Sequence, residues 1–265
     1  MQPKPRQWSQ QHASAFQESS VVAAYQHRPG YPEEVLAFLA RLAGDTPRRV
    51  LDVGCGTGFL ARPLTQLVEH VDAVDISVPM IAEGQRLPHG DAPNLRWIVG
   101  RAEDAPLDPP YSMITAGESF HWLDWDIALP RFARMLTPNG YLAIIELGQL
   151  LLPWDAALAS LIRRYSTNQE YQPLNLIAEL ERRGLFTPIG RHRTRPVAIR
   201  QPVDTYIESF HGRASFSRQR MSPEAAAAFD QAVREVLAQE QHTLVELRII
   251  AEIVWGKPQV RTSML

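Results

Sequence analysis

The stretch that decides the fold runs Arg49-Val50-Leu51-Asp52-Val53-Gly54-Cys55-Gly56-Thr57-Gly58. An apolar strand pattern leads here into three glycines at alternate positions, Gly54, Gly56 and Gly58. Glycine permits positive φ and has no Cβ, so the chain can turn sharply from a strand into a helix and a ligand can lie on bare peptide. We therefore predict a ligand-binding loop directly after a buried strand.

Two carboxylates near this loop predict the chemistry of the ligand. Asp52 ends the strand and would repel a phosphate, whereas it suits a cation. The glycine spacing also differs from the dinucleotide fingerprint, which receives a pyrophosphate at the start of its helix. Asp75 ends the next strand pattern, Val71-Asp72-Ala73-Val74-Asp75, at the position from which a carboxylate accepts hydrogen bonds from ribose hydroxyls. The residues thus predict a positively charged nucleoside without phosphates.

S-adenosylmethionine is such a nucleoside, and on these motifs the chain resembles the class I S-adenosylmethionine-dependent methyltransferases. The similarity continues to Thr137-Pro138-Asn139-Gly140, which is similar to the turn before the family's fifth strand. The segment from Asn94 to Asp104 is similar to the family's third strand and the loop beside the adenine, and the resemblance implies that Ala102 and Glu103 flank the base. Arg101 stands where the family often has an acidic or small polar residue, so the resemblance leaves open whether this loop hydrogen-bonds the adenine amino group. In the cofactor-binding loops, the resemblance implies contacts from Asp52, Gly54, Gly56, Gly58, Asp75, Ile76, Ala102, Glu103 and Glu118.

A second segment, Tyr25-Gln26-His27-Arg28-Pro29-Gly30-Tyr31-Pro32, is similar to one that often precedes the core in a branch of this family. The resemblance implies that Tyr25 and Arg28 meet the methionine carboxylate, which the planar guanidinium suits. The alternative is a rigid Pro-Gly turn that leads into the first helix of the core. The sequence leaves both interpretations open.

The segment after the predicted fourth strand is rich in aromatic residues. In an open parallel sheet, ligands collect beyond the carboxyl ends of the strands where the strand order reverses. Phe120-His121-Trp122 also resembles a small-molecule branch that includes the trans-aconitate-type methyltransferases. We therefore expect substrate contacts here and from a later helix, by Phe120, Trp122, Trp125 and Phe210. The alternative is that these aromatic side chains pack a helix start.

His121 is the predicted catalytic residue. Imidazole takes up protons near neutral pH, so His121 can serve as a general base for an acceptor that arrives protonated. The alternative is a histidine that is hydrogen-bonded within a helix start.

Strand and helix patterns alternate through the first half of the chain. Strand patterns lie near 49–53, 71–75, 95–99, 111–116 and 141–146, and helical patterns near 33–43, 58–68, 77–87 and 124–136. This alternation predicts an α/β fold with a doubly wound parallel sheet. The later patterns are helices near 155–167, 173–184, 204–212 and 223–241, and strands near 189–200 and 245–255. The resemblance implies a mostly parallel, seven-stranded, Rossmann-like sheet with an antiparallel last strand.

The expected organisation is a single methyltransferase domain over residues 1–265. Within it we expect an N-terminal cap segment at 1–32, a cofactor-binding core at 33–147 and a C-terminal half at 148–265. A helical substrate cap near 203–243 belongs to the last of these.

Composition favours a globular cytoplasmic enzyme. The chain has 265 residues, 45% of them hydrophobic, and a formal net charge of −2. This charge argues against an extended nucleic-acid surface, and neither a membrane span nor a signal peptide is evident. Cys55 is the one cysteine, and we expect it to pack within the loop. The histidines show no metal-ligand spacing, so we expect no metal.

The sequence thus predicts a methyltransferase that moves a methyl group from S-adenosylmethionine to O or N of a small-molecule acceptor. One alternative is a nucleic-acid or protein methyltransferase, and another is a non-catalytic scaffold that binds the cofactor. The identity of the acceptor and the oligomeric state are not readable from the sequence.

Overall fold

The computed structural model describes residues 4–238 and 243–260. Within them the strands are β1 (Arg49–Val53), β2 (His70–Asp75), β3 (Leu95–Val99), β4 (Tyr111–Gly117), β5 (Leu136–Gln149), β6 (Phe186–Arg193), β7 (Val197–Pro202) and β8 (Leu244–Pro258). The α-helices are α1 (Gln10–Ala13), α2 (Ser19–Tyr25), α3 (Glu33–Leu42), α4 (Ala61–Leu64), α5 (Val78–Gly84), α6 (Trp125–Met135), α7 (Asp155–Tyr165), α8 (Leu176–Arg182), α9 (Val203–His211) and α10 (Pro223–Ala238). Short 3-10 helices lie at Arg6–Trp8, Ser14–Gln17, Phe120–Trp122 and Ala214–Phe216.

The described chain divides into two compact units. The sheet unit comprises residues 31–148, 173–195 and 250–260, and the helical unit comprises residues 4–30, 149–172, 196–238 and 243–249. The single domain with inner boundaries after 32 and 147 stays a prediction. Three parts of the sequence-based predictions lie outside the described residues: the start of the cap segment at 1–3, the end of the last helix and of the substrate cap at 239–242, and the chain end at 261–265.

The sheet confirms the predicted doubly wound α/β class. Its strand order is β3-β2-β1-β4-β5-β8-β6, parallel from β3 to β5 and antiparallel between β8 and β6. The order reverses between β1 and β4, where Asp52 lies opposite Thr115. Ligands of such sheets bind at this switch point, beyond the carboxyl ends of the strands. The glycine loop follows β1 at that point.

Burial explains why β1 and β2 read as nearly continuous apolar runs. Helices cover both faces of a parallel sheet, so side chains on either face of a central strand need to be apolar. Val50, Val71 and Met113 belong to one buried core cluster. Val35 and Leu39 of α3, one turn apart on one helix face, belong to the same cluster. This core fixes the ends of β1, β2 and β4 from which the candidate site is built.

The single polar strand predicted near 189–200 is wrong, because the structure has two strands there. β6 pairs with the part of β8 after residue 251, and β7 pairs with residues 244–249. Pro196 lies between them and lacks the amide hydrogen that a continuous strand would need. Thr194 instead bonds Ala251 twice, through its backbone amide at 3.0 Å and its hydroxyl oxygen at 2.9 Å. The sheet therefore has seven strands along its path, and β7 joins β8 off that path.

The helix predicted near 58–68 is much shorter, since only Ala61–Leu64 is α-helical. Pro63 supplies no amide hydrogen to the turn. The Thr65 hydroxyl donates to the Arg62 carbonyl at 2.6 Å, a local bond that competes with helix continuation. Strand β5, by contrast, is longer than predicted and extends over Leu136–Gln149. Its pairing with β4 has a register irregularity where the sequence predicted a Pro-Gly turn.

The helical unit has an aromatic core of its own. The Phe210 ring contacts those of Tyr206, Phe216 and Phe229 at centroid distances of 5.2, 6.2 and 5.6 Å. His211 is fully buried beside them, with Nδ1 at 2.7 Å from the Phe216 carbonyl oxygen. Among the helices of the described ranges, none has both the length and the apolarity that crossing a bilayer requires.

Candidate cofactor site

The glycine loop has the backbone that its sequence predicts. Gly54, Gly56 and Gly58 all have positive φ, at +63°, +55° and +80°. A Cβ on Gly54 would lie 2.5 Å from Cβ of Ser119, and one on Gly58 would lie 2.6 Å from the Trp97 ring. Both positions therefore require glycine for packing as well as for conformation.

Asp75 is bonded directly to the glycine loop. Its Oδ2 accepts a hydrogen bond of 2.8 Å from the Gly56 amide, and its Oδ1 accepts one of 2.7 Å from the Ser77 amide. Burial raises the pKa of Asp75, and these amide bonds, with a further one from Ile76, oppose that rise. Each carboxylate oxygen can accept a second hydrogen bond. The carboxylate is thus held in one orientation and keeps acceptor capacity for a vicinal diol.

Asp52 is only 2% exposed at the end of β1. Its Oδ1 accepts a hydrogen bond of 2.8 Å from the Thr115 hydroxyl on β4. Burial raises the pKa of Asp52 to about 7, against the hydrogen bonds from Thr115 and Ala61, and the negative charge of Asp75 adds to the rise. A cation at this place would favour the ionised carboxylate, because opposite charges attract strongly where water is excluded.

Cys55 lies in the glycine loop, within reach of the charges of both carboxylates, and is buried. Burial, with the charges of Asp75 and Asp52, raises the pKa of its thiol well above the ordinary value. The thiol therefore stays protonated at neutral pH and serves in packing, since the thiolate is the reactive form.

The end of β4 forms the other wall of the switch point. Glu118 has a φ of +54°, and its Oε1 accepts a hydrogen bond of 2.7 Å from the Leu147 amide at the end of β5. The next residue, Ser119, donates from its hydroxyl to the Val53 carbonyl at 2.6 Å. Ser119 thereby ties the segment after β4 to the glycine loop after β1.

Two residues of this wall were not among the sequence-predicted site residues. Ser119 directly precedes the aromatic segment and belongs to none of the sequence motifs. Tyr31 belongs to the Pro-Gly-Tyr-Pro segment, and its hydroxyl would be 2.3 Å from a Cβ on Gly117. That closeness to the end of β4 depends on the tertiary fold, so no local pattern in the sequence signals it.

The loop after β3 carries the residues predicted to flank adenine. Ala102 and Glu103 are both buried. Arg101 is half-exposed, and its Nε lies 3.6 Å from Oε2 of Glu103. The guanidinium at this divergent position thus pairs with the neighbouring carboxylate.

The four residues of the aromatic segment differ in burial. Phe120 and Trp125 are 1% and 3% exposed, and the Trp125 indole donates to the Phe120 carbonyl at 2.9 Å. The guanidinium of Arg183 lies 5.2 Å from the Trp125 ring. His121 and Trp122 are partly exposed, with ring centroids 4.5 Å apart. Phe120 and Trp125 are thus buried near the start of α6, whereas His121 and Trp122 keep exposed surface that a ligand can reach.

The remaining predicted residues lie in the helical unit. The guanidinium of Arg28 lies 5.0 Å from the Tyr25 ring, so these two residues contact each other. Phe210 is buried in the aromatic core of that unit, and the Arg213 guanidinium covers its ring at 4.6 Å. The other predicted residues belong to the sheet unit. Asp52 and Asp75 lie near the ends of β1 and β2, Trp125 begins α6, and the rest lie in the segments after β1, β2, β3 and β4.

Comparison with known proteins agrees with this geometry. Residues 50–140 match the family model described as Methyltransferase domain. An uncharacterised methyltransferase of Mycobacterium tuberculosis is 34% identical over 148 residues, which cover 55% of this chain and 58% of that relative. The chain thus spans a little over half the length of that curated relative.

Two further proteins extend the likeness. A malonyl-[acyl-carrier protein] O-methyltransferase of Halalkalibacterium halodurans is 26% identical over 217 residues, which cover 77% of this chain and 79% of the relative. The solved structure of a proposed type II methyltransferase from Anaeromyxobacter dehalogenans superposes with a TM-score of 0.63 at 23% identity, over 88% of this chain and 99% of the other. This structural likeness concerns the fold. Taken together, these findings show that residues 50–140 resemble a methyltransferase domain and that the chain is similar over most of its length to methyltransferases.

Proposed function

We propose that the protein transfers a methyl group from S-adenosylmethionine to O or N of a small-molecule acceptor. The observation that carries the proposal is the fixed carboxylate of Asp75 above a glycine loop that has no Cβ at three alternate positions. Asp52 adds a buried carboxyl beside the same loop, and a bound cation would favour its ionised form. A phosphate would be repelled by this pair, whereas a cationic nucleoside fits it.

The residues have separate roles in holding the cofactor. Asp75 would accept hydrogen bonds from the ribose hydroxyls, and Ile76, the next residue, would contact the cofactor beside it. Gly54, Gly56 and Gly58 would let the amino acid tail lie on the backbone, and Asp52 would favour its positive charge. Ala102, Glu103 and Glu118 remain proposed neighbours of the base and the tail, and the roles of Tyr25 and Arg28 remain predictions of the sequence.

S-adenosylmethionine, when bound, supplies an electrophilic methyl group on a positively charged sulfur. The protein's part in an in-line displacement is chiefly to align the acceptor and to exclude water. We propose that His121 accepts the acceptor's proton where the acceptor arrives protonated. Trp122, whose ring lies against His121, would offer an aromatic face to a planar acceptor.

The acceptor class rests on two supports. The formal net charge of −2 disfavours a nucleic-acid substrate. A relative aligned over most of its length is named as an O-methyltransferase that acts on an acyl-carrier-protein-bound malonyl group. A trans-aconitate-type acceptor, suggested by Phe120-His121-Trp122, stays a prediction, as do the substrate roles of the buried Phe120, Trp125 and Phe210.

Incubation with methyl-labelled S-adenosylmethionine and a small-metabolite extract tests the proposal. We expect label in a small product with the wild-type protein and none with Asp75→Ala. Label in nucleic acid or protein added to the mixture would favour the alternative acceptor classes. Tight binding of S-adenosylmethionine without any labelled product would instead identify a cofactor-binding scaffold.

A further inference from the structure

The loop after β3 is tied to helix α6 by a set of hydrogen bonds that the reaction does not itself require. The Glu103 carboxylate accepts a bond of 2.7 Å from the Asp124 amide at Oε1. Arg131, two turns along α6, donates from Nη1 to the Glu103 carbonyl at 2.6 Å and from Nη2 to the Ala105 carbonyl. We call this set, formed by Glu103, Ala105, Asp124 and Arg131, the α6 clasp.

Glu103 accepts the hydrogen bond of the N-cap amide of α6, which in a capping box is accepted by the third residue of the helix itself. Asp124 is the N-cap of α6, and its side chain makes no capping bond. In a capping box, a Glu or Gln at the third helical position bonds the N-cap amide. Ile127 holds that position here and cannot accept a hydrogen bond. A carboxylate 21 residues earlier in the chain takes its place, so the start of α6 depends on the loop after β3.

The clasp connects at one end to the cofactor site. The Gly100 amide, which begins the loop, donates to the Asp75 carbonyl at 2.9 Å. Arg101 lies between Gly100 and the clasp, and it pairs with the second oxygen of Glu103 at 3.6 Å. The loop is thus bonded both to the residue that would hold the ribose and to α6.

The clasp connects at the other end to the segment that carries His121. The Trp125 indole, one residue inside α6, donates to the Phe120 carbonyl at 2.9 Å. The Trp122 amide donates to the Ser119 carbonyl at 2.9 Å and closes the 3-10 turn that contains His121. The position of this turn therefore follows the start of α6, which the clasp holds.

We propose that Glu103 and Arg131 are positioning residues which couple occupancy of the cofactor site to the order of the His121 turn. This inference rests on the proposed function. A ligand that orders the loop after β3 lowers the entropy cost of ordering the start of α6 and the His121 turn, which are bonded to that loop. The cofactor site and the His121 turn are then coupled without a large movement. The acceptor would then meet an ordered His121 turn only after the cofactor has bound.

Amide hydrogen exchange with and without S-adenosylhomocysteine tests the coupling. In the wild-type protein, the ligand should slow exchange in two places, residues 101–105 and residues 120–125. In Arg131→Met, the slowing at 101–105 should remain and the slowing at 120–125 should be lost. Arg131→Lys keeps a donor toward the loop and should therefore retain part of the ligand-dependent slowing at 120–125. A purely structural role would raise exchange at 120–125 equally with and without ligand.

Arg134→Met is the matched control, because Arg134 is an exposed arginine of the same helix and should leave both effects intact. Should Arg131→Met not fold, Glu103→Ala removes the acceptor of the Asp124 amide and tests the same coupling at ligand concentrations that calorimetric titration of this variant shows to be saturating. Equal ligand-dependent slowing at 120–125 in wild type and in the clasp variants would overturn the inference while leaving cofactor binding established. A wild-type protein that does not bind S-adenosylhomocysteine would overturn the proposed function, and the coupling with it.

Discussion

The amide of Gly56 donates a hydrogen bond of 2.8 Å to Oδ2 of Asp75, which joins the loop after β1 to the end of β2. Gly56 has a φ of +55° here, a left-handed backbone conformation that favours glycine. One short contact therefore fixes both the bare backbone and the acidic acceptor of the candidate site.

Gly54→Ala should abolish cofactor binding. The new Cβ would lie 2.5 Å from Cβ of Ser119, so the loop or the segment after β4 has to move. Gly184→Ala is the matched control, because Gly184 also has a positive φ, +65°, but no atom within 4 Å of an added Cβ. Both variants pay the cost of about 1–2 kcal/mol for a non-glycine residue in this conformation. Calorimetric titration with S-adenosylhomocysteine should show binding by Gly184→Ala alone, and equal binding by both would argue against the assigned loop.

Asp52→Asn should change stability and binding in opposite directions. The folded protein holds the Asp52 proton more tightly than the unfolded chain, with a pKa of about 7 against an ordinary 3.8. The native state thus binds more protons, and this carboxyl lowers stability as pH rises from about 4 to about 7. Asparagine removes the effect, so the free variant should be more stable than wild type at pH 8.

The same variant should bind S-adenosylmethionine more weakly at pH 8, because it no longer supplies a negative charge. Guanidinium unfolding at pH 5 and pH 8, with calorimetric titration at pH 8, measures both effects. A variant that is less stable than wild type at pH 8 and binds equally well would contradict this account of Asp52.

Arg96→Met should destabilise the sheet. Asp72 is fully buried on β2, and Arg96 donates to both its oxygens at 2.8 Å. Burial raises the pKa of Asp72, but hydrogen bonds from Arg96, Tyr111 and His70 outweigh it, so the pKa lies below the ordinary value. Losing the arginine should cost about 1–3 kcal/mol, since two other donors remain.

Arg86→Met removes a solvent-exposed partner of Glu83 and serves as the comparison, with an expected effect of less than about 1 kcal/mol. Denaturant unfolding at pH 7 gives both values. The difference between wild type and Arg96→Met should shrink as the pH falls through the lowered pKa of Asp72, because the charge pairing is lost once Asp72 is protonated in both proteins. A pH-independent difference would show that lost packing, and not lost charge pairing, is its source.

His121→Gln should slow methyl transfer to an acceptor that arrives protonated by about 10²–10⁴-fold. The change retains a polar side chain of similar size and removes proton uptake near neutral pH. His89→Gln is the control, because His89 is an exposed histidine outside the candidate site. Rates of product labelling at saturating cofactor measure the effect, and unchanged rates would remove His121 from the chemistry.

The sequence was most informative where local chemistry decides the backbone. The glycine loop and the five strands β1 to β5 could be located because apolar runs and glycines determine the backbone conformation within a few residues of themselves. The split between β6 and β7 at Pro196 and the shortness of α4 depend on local bonds of Thr194 and Thr65, which compete with regular structure only in the folded chain.

The site was predictable in part for the same reason. Asp52 and Asp75 occupy motif positions, whereas Ser119 and Tyr31 reach the switch point through tertiary packing. The pairing of Arg101 with Glu103, and of Glu103 with Asp124, joins residues whose relation no period or motif encodes. Burial also distinguishes Phe120 and Trp125 from His121 and Trp122, although all four belong to one aromatic stretch of the sequence.

Calorimetric titration of the wild-type protein and Asp75→Ala with S-adenosylmethionine tests the central claim most directly. We predict saturable binding to the wild-type protein and its loss or marked weakening in the variant, with both proteins folded by circular dichroism. Equal affinity of the two proteins, or no binding by the wild type, would contradict the assignment of this loop to the cofactor.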